Sequence, residues 1–183
     1  EKFSFKNKEE IDKAISTTKS IKFNITDISS KIVNRNPSGP FTTSTLQQTA
    51  SSRYGFGASR TMQIAQKLYQ GIEIEGETIG LITYMRTDGT NLSKDTVSLF
   101  RDYIQTEIGK EYLPESALNY SGKKAKNAQE AHEAIRPTDI TRTPQSVKKY
   151  LSPDQNKLYD LIWSRALSSQ METAKFDRNT ITI

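Results

Sequence analysis

The sequence predicts a mainly helical α+β protein with a small β part. Apolar residues recur at helical spacing in several segments between residues 41 and 168, whereas residues 22–33 and 179–183 partly alternate apolar and polar side chains, as strands do. The 183 residues are enough for one domain of ordinary size or one and a fraction. Because only 34% of the residues are hydrophobic, we expect a small core under a largely polar surface.

The composition excludes several classes of chemistry. The chain has no cysteine, which excludes disulfides, cysteine-bound zinc and a thiol nucleophile. His132 is the single histidine, so sites built on several histidines are excluded too. There is no apolar run of about 18 residues, and the charged residues 1–8 do not resemble a secretory signal, so we expect no membrane span and no signal peptide. The chain begins without Met, from which we expect an excised piece or a processed product.

The positive charge is concentrated in one stretch of the chain. The net charge is +5, and residues 28–72 contain no Asp or Glu but five basic residues. These basic residues are Lys31, Arg35, Arg53, Arg60 and Lys67. A donor-rich surface without carboxylates suits a polyanion such as a nucleic-acid backbone. A basic, solvated face with no partner is the alternative that charge leaves open.

The first forty residues predict strands, one helix and a turn. We expect a short strand at Phe3 and Phe5, a helix up to residue 20, and one or two strands within residues 22–33. Residues 36–40, Asn-Pro-Ser-Gly-Pro, form a turn cluster that is a plausible domain boundary.

Two helices with a short glycine-containing connection are predicted next. The first is capped by Ser44 with Gln47, places Leu46, Ala50 and Tyr54 on one face, and stops at Gly55 and Gly57. The second is capped by Ser59 and ends at Gly71, with its inward positions at Met62, Ala65, Leu68 and Tyr69. Such a pair is similar to a helix-turn-helix, although any helical hairpin has this pattern.

The rest of the chain alternates loops with further elements. We expect an acidic loop at 73–77, a short buried strand at 79–84, a helix capped by Ser93 and closed by Gly109, and a loop at 112–127. A short helix at about 128–135 should end before Pro137. Thr143-Pro144 and Ser152-Pro153 each read as a cap followed by Pro at the first helical position. The second opens a long helix with Leu158, Leu161, Ile162 and Arg165 on one side, and a final strand follows at 179–183.

Residues 83–92, Thr-Tyr-Met-Arg-Thr-Asp-Gly-Thr-Asn-Leu, are the most informative part of the sequence. Tyr84 ends an apolar strand, and Arg86 lies on the same face at i+2 while the chain stays extended. Phenols are poor nucleophiles at neutral pH, but a neighbouring guanidinium favours the phenolate and can bind two oxygens of a phosphate. The pattern therefore fits a tyrosine that attacks a phosphodiester. A half-buried strand tyrosine with a solvated arginine is the structural alternative.

A second candidate lies in residues 128–138. On a helix, His132 and Arg136 would be at i and i+4 and would point the same way. Two such groups suit an anion better than a metal, and the H-E-x-x-H zinc motif is incomplete because its second histidine is missing. A solvent-facing helix with no ligand is the alternative.

Three blocks of the sequence closely resemble signature blocks of the type IA DNA topoisomerases. They are residues 40–48, 80–88 and 131–138, and they occur in that family's order and at compatible spacing. Each block is long enough that a chance match of all three is negligible. Met85, which follows the tyrosine, is similar to the bacterial topoisomerase I branch of the family. The resemblance is strongest over residues 37–172.

The resemblance implies that the chain contains parts of two domains. Residues 39–172 would form the helical gate domain, which carries the active-site tyrosine and contains helix-turn-helix-like pairs. Residues 1–38 would belong to the β-rich arch, or hinge, domain, and residues 173–183 would be its return strand.

The resemblance also implies roles for individual residues. Tyr84 matches the nucleophile that forms a 5′-phosphotyrosyl link with one DNA strand, and Arg86 matches the arginine that contacts the scissile phosphate. His132 matches a histidine proposed to assist near that phosphate. Arg136 would add a supporting anion contact in the same block. Gly89 departs from the family, which usually has Ser there, and this should loosen the turn that Asp88 is expected to order.

Family members also use a Mg²⁺-binding Toprim domain with a catalytic lysine. No D-x-D-type cluster occurs in this sequence. We therefore expect no cofactor or metal in this chain, Mg²⁺ in the full-length enzyme through the Toprim domain, and no relaxation of supercoiled DNA by the chain alone.

The implied partners are DNA and the other domains of the full-length enzyme. The DNA would be a single-stranded segment and a passing strand. The residues expected to contact it are Arg86, Arg136, Arg53 and Arg60. The expected location of the full-length enzyme is the cytoplasm, at the nucleoid. The reaction would need no ATP, and no P-loop motif is present. The alternative from another class is a non-catalytic DNA-binding module built on the helical pair at 44–70, and a structural hinge that docks proteins is a third.

Overall fold

The structure, a computed structural model, describes residues 4–120 and 133–183. The chain forms two compact units. The first unit, Glu1–Asn34 with Lys175–Ile183, is called the arm, and the second, Arg35–Ala174, is called the body. No helix in the described part of the chain is long and apolar enough to cross a membrane.

The arm contains one helix and two long strands, and it has little core. Helix α1 spans Lys8–Ser20 and begins at Asn7, whose side chain accepts a hydrogen bond from the N–H of Glu10. Strands β1, Asp27–Arg35, and β4, Ala174–Thr182, pair as a two-stranded sheet. No residue of α1, β1 or β4 is buried. The strand predicted at Phe3 and Phe5 is absent at Phe5, and Phe3 lies outside the described residues.

Three helices surround the main core of the body. They are α2, Thr43–Tyr54, α3, Ala58–Gln70, and α6, Pro153–Ser168. The core residues that these helices contribute are Leu46, Ala50, Ile64, Ala65, Leu68, Leu158, Tyr159, Leu161 and Ile162. The predicted inward positions of α6 are confirmed for its three aliphatic residues. In α3 the inward set is instead Thr61, Ile64, Ala65 and Leu68, because Met62 is only half-buried and Tyr69 is 41% exposed.

The N-termini of α2 and α3 differ from the prediction. Thr42, not Ser44, caps α2, through a reciprocal capping box with Thr45. Gly57, which makes no side-chain cap, precedes α3, so the predicted cap at Ser59 is wrong. The C-terminal prediction is confirmed, since Gly55 ends α2 at φ 66°, a left-handed conformation in which glycine has no Cβ penalty.

A small hairpin replaces the predicted acidic loop. Strands β2, Ile72–Ile74, and β3, Glu77–Ile79, pair antiparallel around a turn at Glu75 and Gly76. Ile72 and Ile74 are buried while Glu73 lies exposed between them, so the short alternation of side chains supports a strand.

A second core cluster packs around the last turn of α6. Helix α4, Lys94–Tyr103, is capped by Ser93 as predicted and continues as one π-helical turn, Ile104–Ile108, before Gly109. A 3-10 turn, Lys110–Tyr112, follows. The cluster consists of Phe100, Ile104, Ile140, Ala166 and Leu167.

The last connections of the body follow the predicted capping pattern. Helix α5, Pro144–Val147, is capped by Thr143 and runs into a 3-10 turn, Lys148–Tyr150. Ser152 caps α6 with Pro153 at its first position. The α+β class with a small β part is thereby confirmed.

Candidate active site

The segment that leads to Tyr84 is held between α3 and a distant part of the chain. The buried strand predicted at 79–84 is only partly present, because β3 ends at Ile79 and the next pairing is an isolated bridge between Ile82 and Pro137. The N–H of Leu81 donates to the carbonyl of Leu68 on α3, 2.8 Å away. Leu81 and Ile82 are fully buried, so this segment is anchored in the core immediately before the tyrosine.

Tyr84 and Arg86 both lie at the surface, as their i, i+2 spacing predicts. The Tyr84 side chain is 50% exposed, Met85 is fully buried, and Arg86 is exposed. Met85 therefore fixes the backbone between the two polar groups. The ring of Tyr84 packs edge-on against Tyr69 of α3, with 5.3 Å between the ring centroids. The phenol is thus available to solvent while its ring direction is restricted by an aromatic neighbour.

Thr43 connects the start of α2 to the residues around Arg86. Its Oγ1 donates to the carbonyl oxygen of Met85 at 2.7 Å and accepts from the N–H of Thr87 at 2.8 Å. Its backbone N–H donates to the carbonyl of Thr87 at 2.9 Å. The sequence blocks at 40–48 and 80–88 are therefore parts of one site, and Thr43 is a site residue that sequence reasoning missed.

The third block is extended where it is described, so the predicted helix at 128–135 is wrong over its last residues. Phe41 and Ile135 form an antiparallel bridge, and Asn91 and Glu133 form a parallel one. The hydroxyl of Thr83 donates to the carbonyl of Ala134 at 2.7 Å. Backbone and hydroxyl pairing with three other segments replaces the helical hydrogen bonds here. Residues 128–132 of that prediction lie outside the described residues.

The Arg136 guanidinium already has protein partners. Its Nε donates to Glu133 at 2.7 Å, its Nη1 donates to the carbonyl of Pro137 at 2.9 Å, and its side chain is only 17% exposed. Because Arg136 is not helical, the i, i+4 argument that paired it with His132 does not apply to it. His132 lies outside the described residues, so its assistance near a phosphate stays a prediction, as does the anion contact of Arg136.

Arg53 and Arg60 have different surroundings. Arg60 forms a salt bridge with Asp154, with 2.5 Å between Nη2 and Oδ2, and its guanidinium lies 4.7 Å from the centre of the Phe56 ring. Arg53 lies exposed in the last turn of α2. The pKa of Arg165 is lowered mainly by burial, and the nearby charge of Arg53 lowers it further. The guanidinium of Arg165 lies over the ring of Phe41. Arg60 is therefore partly neutralised, and its predicted DNA contact, like that of Arg53, stays a prediction.

The turn after Arg86 is ordered by Thr87. The hydroxyl of Thr87 accepts a hydrogen bond from the N–H of Gly89 at 3.0 Å. Asp88 is exposed, and its carboxylate has no partner among the described residues. The turn-ordering role expected of Asp88 thus falls to the residue before it.

A groove lies beside the tyrosine along α3. It is lined by Ser59, Met62, Gln63, Gln66, Lys67 and Gln70 of α3 and by Arg86, and its volume is about 530 Å³. Sequence reasoning counted Lys67 in the basic stretch but did not identify the glutamines as a set. Their spacing on one helical face was the signal that could have revealed them.

The donor set for a metal ion is incomplete in the described part of the chain. No three His, Cys, Asp or Glu side chains within residues 4–120 and 133–183 are close enough together to hold a metal ion. The described residues therefore do not fit a Mg²⁺ site, and no chemical step of this chain is assigned to a metal.

The comparisons with known proteins identify the family of this chain. The profile of the DNA topoisomerase family matches residues 1–183, so the chain belongs to the DNA topoisomerase family. Three individual relatives illustrate the match.

The chain is 51% identical over 177 residues to DNA topoisomerase 1 of Rickettsia felis. The matched region covers 97% of this chain and 23% of the relative. It is 46% identical over 182 residues to DNA topoisomerase 1 of Haemophilus influenzae, covering 100% of this chain and 20% of the relative. The structure of full-length topoisomerase I from Thermotoga maritima superimposes with a TM-score of 0.75 and 37% identity over 99% of this chain and 28% of that one. The chain thus spans about a quarter of the length of the relatives that it matches.

Proposed function

We propose that this chain is the tyrosine-bearing part of a type IA DNA topoisomerase and that Tyr84 is its nucleophile. The observation that carries the proposal is the placement of Tyr84, which is exposed two residues from an exposed Arg86 on a segment tied to α2, α3 and the 133–138 block. A nucleophile must reach its substrate without drifting, and this combination of solvent access and backbone anchoring meets that need.

In the proposed reaction the phenolic oxygen of Tyr84 attacks a phosphorus atom of one DNA strand. The new bond is a 5′-phosphotyrosyl ester, and the bond between phosphorus and the 3′ oxygen breaks. The phenol loses its proton, and the departing 3′ oxygen takes up a proton and becomes a 3′ hydroxyl. Arg86 stabilises the charge that develops on the phosphate oxygens. His132 assists proton transfer near the same phosphate. The reverse attack of the 3′ hydroxyl reseals the strand, and the ester conserves the bond energy, so no ATP is consumed.

A Tyr84→Phe variant of the longer protein that contains this chain tests the proposal. The phenylalanine ring keeps the contact with Tyr69 but removes the attacking oxygen, so we expect no covalent adduct with a labelled single-stranded oligonucleotide while binding is retained. Denaturing gel electrophoresis measures the adduct. Adduct formation at the wild-type level would remove Tyr84 from the mechanism, whereas DNA binding by a wild-type protein that forms no adduct would favour the non-catalytic DNA-binding module on α2 and α3.

The chain alone should be inactive. We propose that a Toprim domain elsewhere in the longer protein supplies Mg²⁺ and that the assembled protein relaxes negatively supercoiled DNA in the bacterial cytoplasm. Without that domain, the charge on the phosphate and on the leaving oxygen is incompletely neutralised. We expect the 183-residue chain to leave supercoiled plasmid unchanged in the presence of Mg²⁺, as measured by agarose gel electrophoresis. Complete relaxation by the purified chain would contradict this expectation.

A further inference from the structure

The hydroxyl of Tyr120 lies between the two ends of the body. It is 3.0 Å from the carbonyl oxygen of Pro37, close to where the chain enters the body. It is also 3.0 Å from the carbonyl oxygen of Ser169, which directly follows α6 and lies close to where the chain leaves. A phenol has one proton, which two acceptors can share. This single hydroxyl therefore joins the incoming and the outgoing chain.

The ring of Tyr120 packs directly against the backbone of Gly39. A Cβ on Gly39 would come within 2.9 Å of the ring atom Cδ1, so the ring occupies the space that any other side chain would need. Burial raises the pKa of the Tyr120 hydroxyl, and the nearby charge of Arg165 acts in the opposite direction. The net pKa is raised, so the hydroxyl stays protonated and can donate.

The backbone around Tyr120 is held from two sides. The amide of Gln170, which is 1% exposed, accepts from the N–H of Leu118 at 3.2 Å and donates to its carbonyl at 2.9 Å. It thus pairs with this backbone much as a neighbouring strand would. On the other side, the hydroxyl of Thr90 donates to the carbonyl of Tyr120 at 3.0 Å. The position of Tyr120 is therefore fixed by groups from two distant parts of the chain.

Thr90 belongs to the turn that follows Arg86, residues 87–91, which is called the site turn. The hydroxyl of Thr87 orders its first residues. At its far end, the carbonyl of Asn91 accepts from the N–H of Ala134 at 3.0 Å, and Thr90 bonds to Tyr120. Through Tyr120, the bond from Thr90 connects the site turn with both ends of the body.

We propose that Tyr120 is a positioning residue that couples the ends of the body to the site turn and thereby helps to place Arg86 on the phosphate that Tyr84 attacks. Its hydroxyl holds the incoming and outgoing chain, its carbonyl holds Thr90, and its packed ring keeps the two groups at a fixed separation. Small displacements of a group that stabilises a transition state lower the reaction rate strongly. The catalytic part of this proposal rests on the function proposed above.

Hydrogen exchange of the 183-residue chain, followed by NMR, tests the coupling without DNA. Tyr120→Phe keeps the ring against Gly39 but removes the hydroxyl. We expect the N–H of Gly89, which donates to a threonine hydroxyl in the site turn, to exchange about fivefold faster. The N–H of Ser146 in α5 also donates to a threonine hydroxyl and should keep its rate.

Tyr112→Phe is the matched control for this variant. Tyr112 is 47% exposed, and its hydroxyl forms no hydrogen bond with another described residue. We expect it to leave the exchange of both Gly89 and Ser146 unchanged. An unchanged rate at Gly89 in Tyr120→Phe would overturn the coupling, and so would an equal acceleration at Gly89 and Ser146, which would indicate a general loss of stability.

A second variant tests whether the two bonds of Tyr120 act together. Thr90→Val removes the bond to the carbonyl of Tyr120 and keeps the shape of the side chain. Once this bond is absent, Tyr120→Phe should accelerate the exchange of Gly89 by less than twofold, because the connection is already broken. A full fivefold acceleration in the Thr90→Val background would show that the two bonds are independent and would contradict the coupling.

The longer protein tests the catalytic part. With saturating single-stranded oligonucleotide, Tyr120→Phe should form the covalent adduct about tenfold more slowly, while the dissociation constant of the oligonucleotide changes by less than twofold. Tyr112→Phe should change neither quantity. A loss of stability alone would not slow the reaction of folded, saturated protein, so the wild-type rate of adduct formation in Tyr120→Phe would refute the positioning role.

These outcomes can be separated from a failure of the proposed function. If the wild-type longer protein forms no adduct, the nucleophile assignment of Tyr84 fails, and hydrogen exchange of the chain alone still decides the coupling. If the wild-type protein forms the adduct and Tyr120→Phe forms it at the same rate, the function stands and the positioning role of Tyr120 fails.

Discussion

The side chain of Thr43, the first residue of α2, forms two hydrogen bonds with the segment that carries Arg86. Its hydroxyl donates to one carbonyl and accepts from one N–H on the segment that carries Arg86. Only a group that is both donor and acceptor satisfies both partners from a single atom. The segment after Tyr84 therefore depends on this hydroxyl for its position.

Replacing Thr43 with valine should destabilise the chain and impair the site. Valine keeps the shape of the side chain but leaves the Met85 carbonyl and the Thr87 N–H unpaired, which costs about 1–3 kcal/mol of unfolding free energy. Urea unfolding of the chain measures this cost, and adduct formation by the longer protein should fall in parallel. Thr43→Ser should restore both.

The matched control for this variant is Thr49→Val, a half-buried position of α2. There the hydroxyl bonds only within its own helix, so we expect a change within about 0.5 kcal/mol. Equal effects at positions 43 and 49 would show that the hydroxyl of Thr43 does not position the segment.

Sequence reasoning located the exposed pair Tyr84 and Arg86 but could not assign partners to the other cations. Tyr84 and Arg86 lie in a short motif, and their exposure follows from local alternation around Met85. The partner of Arg60 is Asp154, 94 positions away, and nothing in the local pattern indicates it. Charge is a property of the sequence, whereas the availability of a charge depends on tertiary contacts.

At the level of elements, Gly71 permits the hairpin to follow α3 directly. It has φ 126°, and a Cβ at this position would come within 2.4 Å of the methyl group of Thr78. Both the backbone conformation and the space therefore require glycine. Along the chain, the hairpin connects α3 to the segment that carries Tyr84.

A Gly71→Ala variant should be strongly destabilised. Backbone strain costs about 1–3 kcal/mol at such a position, and the contact with Thr78 adds to it. Gly57→Ala is the control, because its Cβ would meet nothing within 4 Å and its φ is −64°. We expect it to cost no more than about 1 kcal/mol in a urea titration. Similar midpoints for the two variants would contradict the strain argument.

The elements that sequence reasoning identified are those whose signals are local. Ser93, Thr143 and Ser152 all cap helices as predicted, and Gly55 ends one. The segment 133–135 was predicted to be the end of a helix that stops before Pro137. It is extended because it pairs with residues far away in the sequence, and such tertiary pairing overrides intrinsic propensity.

At the scale of the whole molecule, the buried residues are distributed unequally between the two units. Both core clusters consist entirely of residues from the body. In the arm, apolar side chains such as Phe23, Ile28 and Ile32 are 65–70% exposed. Sequence alternation correctly indicated strands, but it could not indicate whether another layer covers them.

The body should therefore fold without the arm. We expect a protein consisting of residues 35–174 to keep a cooperative thermal transition, with a midpoint within about 4 °C of the whole chain, corresponding to about 1 kcal/mol. The single tryptophan, Trp163, donates to the carbonyl of Ile140 within the body, so its fluorescence reports on this unit alone.

The control is a shorter protein that consists of residues 35–152 and therefore lacks α6. It removes Leu158 and Ile162 from the main core and should not fold. Loss of the transition in the 35–174 protein would show that the arm is needed for the stability of the body.

The two ends of the body are held together by a side-chain hydrogen bond, in which the hydroxyl of Thr173 donates to the amide oxygen of Asn36 at 2.9 Å. Neighbouring termini of this kind make a domain tolerant of circular permutation and of insertion into a host loop. A short peptide could join residue 174 to residue 35, with new termini opened at the exposed Glu75–Gly76 turn. The body is therefore suited to transfer between host proteins as one unit, because the chain enters it at residue 35 and leaves it at residue 174 at neighbouring positions.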